Sequence, residues 1–170
     1  MADTRTRIET SIEAHPGIHF SEIVRRLELA PGQVQYHLKR LRADDTVVAE
    51  PVYGKTHYFP PEYTDWERDA LALLRRETAG GVVAYLLAHG PATPAAVADS
   101  LDIARSTLEW HLDRLVEHQL VSKHRDQSNH VTLTVDRRDR TVQLLREADP
   151  TLRERMVDRF TRLVDKLLDQ

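Results

Sequence analysis

The sequence predicts a mainly α-helical chain with small β-hairpins, built from two copies of one unit. Three observations lead to this prediction. Residues 15–50 align without a gap on residues 89–124, at one fixed shift of 74 positions. Each copy contains a short and then a longer segment with apolar residues at helical spacing. Each then passes into β-branched residues interrupted by a polar turn, which is the pattern of a hairpin.

The alignment of the two copies includes eight identical positions. They are His15/His89, Leu27/Leu101, Ala30/Ala104, His37/His111, Leu38/Leu112, Arg40/Arg114, Leu41/Leu115 and Val47/Val121. Other aligned positions keep their character, as Tyr36 and Trp110 do. Similarity at one shift across several predicted elements favours two copies of one fold over two unrelated amphipathic helices.

Each copy is predicted to contain three helices and a hairpin. In the first copy they fall at residues 5–14, 20–27, 31–43 and 46–59; in the second they fall at 82–89, 94–101, 105–118 and 120–135. Pro31 and Pro94 suit the first position of a helix, where no N–H is needed, and Thr93 suits the N-cap. The order helix, helix, turn, helix, hairpin is that of a winged helix-turn-helix domain.

The third helix of each copy has one apolar stripe. Val34, Leu38 and Leu41 lie at i, i+4 and i+7, and Leu108, Leu112 and Leu115 repeat this spacing. Residues at this spacing share one face of a helix, so both stripes are expected to be buried.

A linking helix is predicted between the copies. Thr64 and Glu67 form a capping box, which places a helix from residue 65 to about residue 78, ended by Gly80-Gly81. Its apolar residues, among them Trp66 and Leu71, predict a rigid helix packed on one or both domains. The predicted organisation is a first domain at 1–61, a linking helix at 62–80, a second domain at 81–137 and C-terminal helices at 138–170.

The C-terminal segment carries a second kind of apolar pattern. Asp149 and Pro150 suit the start of a last helix that runs to residue 168. A short heptad-like seam follows, made of Leu152, Met156, Phe160, Leu163 and Leu167. We expect this stripe to form a dimer interface; the alternative is that it packs on the second domain of its own chain.

The composition is that of an ordinary globular protein with an unusual choice of cations. Hydrophobic residues make up 41% of the 170 residues, and the formal net charge is -3, which excludes a globally basic nucleic-acid binder but not a local basic face. Four of the 24 cations are Lys and the others are Arg, a bias that resembles haloarchaeal proteins. The absence of cysteine excludes disulfides, zinc ribbons and thiol chemistry.

Two segments carry a resemblance to a known family. LELAPGQVQYHLKRLRADDTVV and LDIARSTLEWHLDRLVEHQLV resemble the helix-turn-helix and wing entry of ArsR/MarR-like regulators. The second matches well through Ser106-Thr107-Leu108 and His111-Leu112, whereas the first has Pro31-Gly32 where small hydroxyl residues are usual. Over residues 5–136 the chain resembles archaeal regulators with two winged helix-turn-helix domains. The resemblance implies a DNA-binding transcriptional regulator.

The third helix of each copy is then the recognition helix, whose outward N-terminal residues approach base edges. The candidate DNA contacts in the first copy are Gln33, Gln35, Tyr36, Lys39, Arg40 and Arg42, with Lys55 and His57 on its wing. Those in the second copy are Arg105, Ser106 and Thr107, with Lys123 and Arg125 on its wing. Glu109 and Asp113 also face outward in the second copy and would repel phosphate. We therefore expect the first copy to dominate binding.

Other classes of function find less support. The sequence has no GxGxxG, GxxxxGK[ST], GxSxG or HExxH motif, so no enzyme is predicted. Nine histidines leave a His/Asp metal sensor open, but no cofactor is expected. A protein–protein interaction module remains the rival of the regulator. Without a long apolar run or an N-terminal apolar segment, we expect a cytoplasmic homodimer that binds double-stranded DNA and no membrane.

The C-terminal seam yields a test of the dimer. Phe160→Asp places a charge in the predicted interface and is expected to give folded monomers, because an isologous contact meets this charge twice. Light scattering of wild type and variant at matched salt measures the mass. Wild type near the 19.6 kDa of one chain would contradict the dimer, and a Phe160→Asp variant that unfolds would indicate packing within the protomer.

Overall fold

The computed structural model describes residues 2–149. The predicted last helix, with the dimerisation residues Leu152, Met156, Phe160, Leu163 and Leu167, lies outside the described residues. The chain divides between Arg76 and Glu77 into two compact units, which we call unit 1 and unit 2. Each unit is a winged helix-turn-helix domain, as predicted.

Unit 1 contains four helices and a small sheet. Its elements are α1 (Thr4–Ala14), β1 (Ile18–His19), α2 (Phe20–Leu27), α3 (Pro31–Ala43), β2 (Val48–Val52), β3 (Lys55–Phe59) and α4 (Asp65–Leu74). The core is aliphatic: the predicted stripe of α3, Val34, Leu38 and Leu41, is buried against Ile8 and Ile23. Burial of this stripe turns the opposite side of α3 to solvent.

The sheet of unit 1 has a third strand that the sequence patterns did not predict. Strand β1 pairs antiparallel with β3, with Ile18 opposite Tyr58, so the strand order is β1-β3-β2. Gly17 enters this strand at a φ of +87°, and its N–H donates to the carbonyl of Tyr58 at 2.9 Å. A Cβ at Gly17 would lie 3.0 Å from Cδ of Arg75. Glycine is therefore required here for both backbone conformation and space.

A buried carboxylate joins α2 to the chain just beyond α4. Both carboxylate oxygens of Glu22, a residue 8% exposed, accept from Nη2 of Arg75, at 3.0 and 2.9 Å. Nε of Arg26 donates to Oε1 of Glu22 at 2.9 Å. Burial alone raises the pKa of Glu22, but the charges and hydrogen bonds of Arg75 and Arg26 outweigh it and hold the pKa below its usual value. The carboxylate is thus kept charged inside unit 1.

The linking helix is shorter than predicted. The capping box of Thr64 and Glu67 is present, but α4 ends at Leu74, and Gly80-Gly81 lies inside the next helix instead of ending this one. Side-chain contacts of two arginines accompany the early end: Arg75 binds Glu22, while Nη2 of Arg76 donates to the carbonyls of Val52 and Tyr53 at 3.1 Å each. A glycine inside a helix lowers its stability by about 1 kcal/mol relative to alanine, which is not enough to prevent the helix from forming.

Unit 2 has the same order of core elements. They are α5 (Glu77–His89), α6 (Pro94–Leu101), α7 (Arg105–Glu117), β4 (Val121–Arg125), β5 (Val131–Val135) and α8 (Arg138–Ala148). Leu108, Leu112 and Leu115 of α7 are buried as predicted. An isolated bridge between Ala92 and Leu133 replaces strand β1.

The two units also share unusual backbone conformations. Glu28 and Asp102, which end α2 and α6, both have left-handed φ values, of 52° and 54°. Asp45 and Gln119, which follow α3 and α7, also have left-handed φ values, of 55° and 58°. Left-handed non-glycine residues are uncommon, so their recurrence at aligned positions indicates the same turns in both units. Within residues 2–149, no helix combines the length and the apolar character that crossing a membrane requires.

His57 lies in β3 and is buried, although the sequence analysis predicted it to be exposed on the wing. The residue is 2% exposed, and Nδ1 donates to the carbonyl of Gly17 at 2.6 Å, while Nε2 has no hydrogen-bond partner within residues 2–149. Burial lowers the pKa of His57 to about 4, and the charges of His19 and Arg76 act in the same direction. The ring is therefore a neutral part of the interior of unit 1.

This buried ring makes the stability of unit 1 depend on pH. Unfolded His57 takes up a proton near pH 6.5, whereas the folded ring does so only near pH 4. The unfolded state therefore binds more protons between these values, and the free energy of unfolding falls as the pH falls from 6.5 to 4, by about 3 kcal/mol in all. Urea unfolding followed by NMR signals of unit 1 at several pH values measures this loss.

His57→Gln keeps a donor for Gly17 and does not titrate, so it is expected to flatten most of this pH dependence. His15 and His19, whose pKa values burial also lowers, account for a remainder. His130→Gln, at an exposed position in unit 2, is the control and should leave the wild-type profile of unit 1 unchanged. An equal profile for wild type and His57→Gln would contradict the assignment.

Candidate nucleic-acid interface

The outward side of α3 is polar, cationic and free of acidic residues. Helix α3 contains Lys39, Arg40 and Arg42 and neither Asp nor Glu. All the predicted outward residues of this helix are exposed: Gln33, Gln35, Tyr36, Lys39, Arg40 and Arg42. Tyr36 is 54% exposed although it is a large aromatic residue. The structure thus places these six predicted residues on one solvent-facing surface.

A groove runs between this helix and the wing. It has a volume of about 710 Å³ and lies where the start of α2, one side of α3 and strand β3 meet. Its lining residues are His19, Phe20, Ser21, Pro31, Gln35, Leu38, Lys39, Arg42, Lys55, Thr56 and Tyr58. Three of them are cations and none is an acid, so the groove favours an anionic occupant.

The cations of this groove are not neutralised by the chain around them. Lys39, Arg42 and Lys55 are exposed and form no ion pair with any residue between 2 and 149. Other arginines of unit 1 are engaged, as Arg5 is with Asp44 at 2.7 Å and Arg75 is with Glu22. Charges left unpaired on one surface are available to a bound anion at no cost of breaking an internal pair.

The prediction that His57 belongs to this surface is wrong. Along β3, Lys55 and Thr56 are exposed, whereas His57 is turned into the interior and bound to Gly17. His19, which the sequence patterns did not single out, takes its place in the groove. Its ring Nδ1 accepts the backbone N–H of Glu22 at 3.3 Å and so caps α2. Histidine as an N-cap is not among the residue types that sequence reasoning seeks at that position.

The aligned surface of unit 2 carries acids at two positions where unit 1 has none. Gln35 and Lys39 of α3 correspond to Glu109 and Asp113 of α7. Oε2 of Glu109 accepts from Nζ of Lys123 on the wing at 2.8 Å, and Oε1 lies 3.5 Å from Arg105. The hydrogen bond from Lys123 holds the pKa of Glu109 below its usual value. Two of the predicted DNA-contacting cations of unit 2 are therefore committed to one carboxylate.

The remaining predicted residues of unit 2 are exposed. Ser106 and Thr107 lie in the first turn of α7. Arg125, at the end of β4, donates to the amide oxygen of Asn129 at 3.0 Å within the wing. Trp110 is 45% exposed, and the guanidinium carbon of Arg114 lies 3.2 Å from the centre of its ring. This surface is aromatic and mixed in charge rather than cationic.

Metal ligands do not converge in the described part of the chain. Residues 2–149 contain no group of three or more His, Asp or Glu side chains placed to hold a metal ion.

Two protein-family models match consecutive parts of the chain. Residues 2–71 match the model of an N-terminal HTH domain, and residues 74–124 match the model of a helix-turn-helix domain. The chain is also similar to an uncharacterized HTH-type transcriptional regulator, MJ1398, of Methanocaldococcus jannaschii. The two are 25% identical over 134 residues, which are 79% of this chain and 34% of that protein. The chain thus spans about a third of the length of this curated relative.

Two solved structures show a partial similarity to the chain, with TM-scores below 0.5. The transcriptional regulator Tm0710 from Thermotoga maritima has 16% sequence identity and a TM-score of 0.40, over 61% of this chain and 82% of that one. Overoxidized AbfR, solved bound to DNA, has 16% identity and a TM-score of 0.40, over 78% of this chain and 88% of that one.

The ion pair in unit 2 can be tested on its own. Lys123→Met removes the strongest partner of Glu109 and is expected to raise the pKa of that carboxyl group towards its ordinary value, because the hydrogen bond from Lys123 is the main cause of its depression. Carbon-13 NMR titration of the Glu109 carboxyl group measures the shift. Arg105→Met is the matched control and should raise the pKa less, since Arg105 lies farther away. A larger effect of Arg105→Met would contradict this order.

Proposed function

Because the chain is a protein of two winged helix-turn-helix domains in tandem, we propose that it is a sequence-specific DNA-binding transcriptional regulator with α3 as its major-groove helix. One observation carries the proposal. The exposed side of α3 has three cations and no acid, and it adjoins a groove whose own cations are unpaired within residues 2–149. A duplex offers the matching partner, with one negative charge for about every 1.7 Å of its axis.

The side chains on α3 suit the edges of bases in the major groove. Glutamine forms paired hydrogen bonds with adenine, and arginine does so with the O6 and N7 atoms of guanine. Gln33, in the first turn of α3, and Arg40, whose side chain bonds one turn back towards that end, are the residues we assign to base contacts.

The groove suits the phosphate backbone. With α3 in the major groove, one strand of the duplex passes between α3 and the wing. Lys39, Arg42 and Lys55 line this path from both sides, and Ser21 and Thr56 add hydroxyl groups. Phosphate contacts of this kind fix the register of the protein but do not carry sequence information directly. Gln35 lines the same groove, and we assign it to the backbone rather than to a base.

Unit 2 contributes less to DNA binding in this proposal. Glu109 and Asp113 lie where unit 1 has Gln35 and Lys39, and Glu109 holds Lys123 at 2.8 Å. A phosphate approaching this surface would meet an acid and would have to compete with Glu109 for the lysine. Arg125, Ser106 and Thr107 remain available for a supporting contact through the wing and the start of α7.

A homodimer completes the proposal. The C-terminal seam predicted from the sequence would relate two copies of unit 1 by a two-fold axis. Such a dimer binds inverted half-sites whose centres lie about 10 base pairs apart, or a multiple of that distance.

A second candidate function rests on the surface of unit 2. Among residues 77–149, Trp110 is the most exposed large apolar residue, and aromatic residues are enriched in protein interfaces. Unit 2 would in that case bind a protein partner through α7, whether or not unit 1 binds DNA.

The salt dependence of binding separates the two surfaces. A dimer with about eight phosphate contacts is expected to show a slope of log K against log[salt] of about -7. Lys55→Ala removes one contact from each protomer and should make this slope shallower by about 2. Fluorescence anisotropy with a duplex selected from a random library by the wild-type protein measures both values.

Lys123→Ala is the matched control, since it removes a wing lysine that Glu109 already holds. It is expected to leave the slope nearly unchanged. A greater effect of Lys123→Ala than of Lys55→Ala would reverse the order of the two units. A slope near zero together with no selected sequence would contradict DNA recognition altogether and favour the protein-binding candidate.

A further inference from the structure

The exposed residues of α3 fall into two neighbouring stripes with different surroundings. Gln35, Lys39 and Arg42 line the groove beside the wing, together with Pro31. Tyr36 and Arg40 lie outside that groove, on the adjacent stripe, one turn apart. The groove stripe faces the proposed phosphate path, so the second stripe is the one directed to the floor of the major groove.

The two residues of the second stripe are bound to each other. Nη1 of Arg40 donates to the hydroxyl oxygen of Tyr36 at 2.6 Å, and its guanidinium carbon lies 5.5 Å from the centre of the tyrosine ring. The side chain of Arg40 has no other hydrogen-bond partner between residues 2 and 149. An unanchored arginine samples many rotamers and loses this freedom when it binds. The tyrosine removes part of that freedom beforehand.

The direction of this contact matters for recognition. Side chains on a helix lean towards its N-terminus, and the bond to Tyr36 draws the guanidinium group one further turn that way. The N-terminal part of a recognition helix approaches the base edges most closely. One of the five N–H groups of Arg40 is used by Tyr36, which leaves the edge formed by Nε and Nη2 for a bidentate contact.

Unit 2 shows what the same pair does without the hydroxyl group. Trp110 and Arg114 occupy the aligned positions, but Nη1 of Arg114 donates to the backbone carbonyl of Trp110 at 2.8 Å. Its guanidinium carbon lies only 3.2 Å from the ring centre. Indole offers a donor and no acceptor, so it cannot hold a guanidinium group at its outer edge. The guanidinium carbon thus lies over the indole ring, and the arginine bonds to the backbone of its own helix.

We propose that Tyr36 is a positioning residue for Arg40: the tyrosine hydroxyl holds the guanidinium group at the N-terminal half of α3, where Arg40 contacts a guanine and sets the sequence preference at that base pair. The proposal rests on the proposed function of unit 1. Tyr36 acts through Arg40 and not by a contact of its own hydroxyl group with DNA.

A double-mutant cycle tests this division of roles. The proteins are wild type, Tyr36→Phe, Arg40→Ala and the double variant, all as the full chain. The probes are the duplex selected from a random library by the wild-type protein and its full set of single base-pair substitutions. Binding of each protein to each duplex is measured at one fixed salt concentration.

Arg40→Ala is expected to lower discrimination at one G·C pair by about tenfold or more, the size of a lost bidentate contact. Tyr36→Phe keeps the ring and loses the hydroxyl group, so it should lower discrimination at the same pair by about two- to tenfold. In the Arg40→Ala background, Tyr36→Phe should have no further effect, because nothing is left to position. Trp110→Phe at the aligned position is the control and should change no base preference.

Three results would overturn the proposal. An equal loss of affinity from Tyr36→Phe in both backgrounds would show that the hydroxyl group contacts DNA directly. Unchanged base preference in Tyr36→Phe, with the expected loss in Arg40→Ala, would leave DNA recognition intact and refute the positioning role. A wild-type protein that selects no sequence would refute the proposed function and the positioning role with it.

Discussion

The architecture of unit 1 depends on one buried carboxylate. Glu22 lies in α2, and its two oxygens are held by Arg26 from the same helix and by Arg75 from the end of α4. Removing one partner of a buried ion pair costs about 3–5 kcal/mol, because the other charge stays behind without compensation. The pair thus ties α2 to the chain just beyond α4, which ends earlier than its sequence pattern suggests.

This constraint extends from the ion pair to the DNA-facing groove. The stem of Arg75 occupies the space that a side chain at position 17 would need, so Gly17 can enter β1 only as glycine. The carbonyl of Gly17 then accepts from His57, and its N–H donates to Tyr58, which ties β3 to the start of α2. Lys55 and Thr56 stand on that same strand and form the wing side of the groove. The position of the wing cation is therefore set from the interior.

The sequence predicts the elements of this fold well because they arise from local patterns. The stripes Val34, Leu38, Leu41 and Leu108, Leu112, Leu115 and the capping box at Thr64 follow from spacing and residue type alone. Strand β1 could not be predicted because two residues are too few to show a periodic pattern. Its pairing with β3 also joins positions 40 residues apart in sequence, such as Ile18 and Tyr58. Glu22 and Arg75 lie 53 positions apart, so their pairing has no local signal either.

The exposure of the candidate residues on α3 could be predicted from a local pattern, whereas the burial of His57 could not. Exposure on α3 follows from the helical period, and the six predicted residues of that helix are exposed. His57 was assigned to the surface by its position in a hairpin, where alternation should have placed one of Thr56 and His57 inside. The hydrogen bond from His57 to the carbonyl of Gly17 decides between them. This bond is a tertiary contact, so the sequence pattern of the hairpin does not predict it.

The two units show how one fold carries surfaces of opposite character. Their buried leucines and left-handed turns coincide, so the scaffold places no requirement on the outward residues of α3 and α7. At two aligned positions a neutral and a cationic side chain in unit 1 are replaced by acids in unit 2. Lys55, on the second wing strand of unit 1, forms no ion pair within residues 2–149, whereas Lys123, on the first wing strand of unit 2, is bound to one of those acids. An internal ion pair of this kind lowers the charge offered to a polyanion twice, once by adding the acid and once by holding the lysine. The difference in proposed function between the units therefore arises from a few exposed side chains, while the buried stripes of α3 and α7, which turn those side chains outward, have the same spacing.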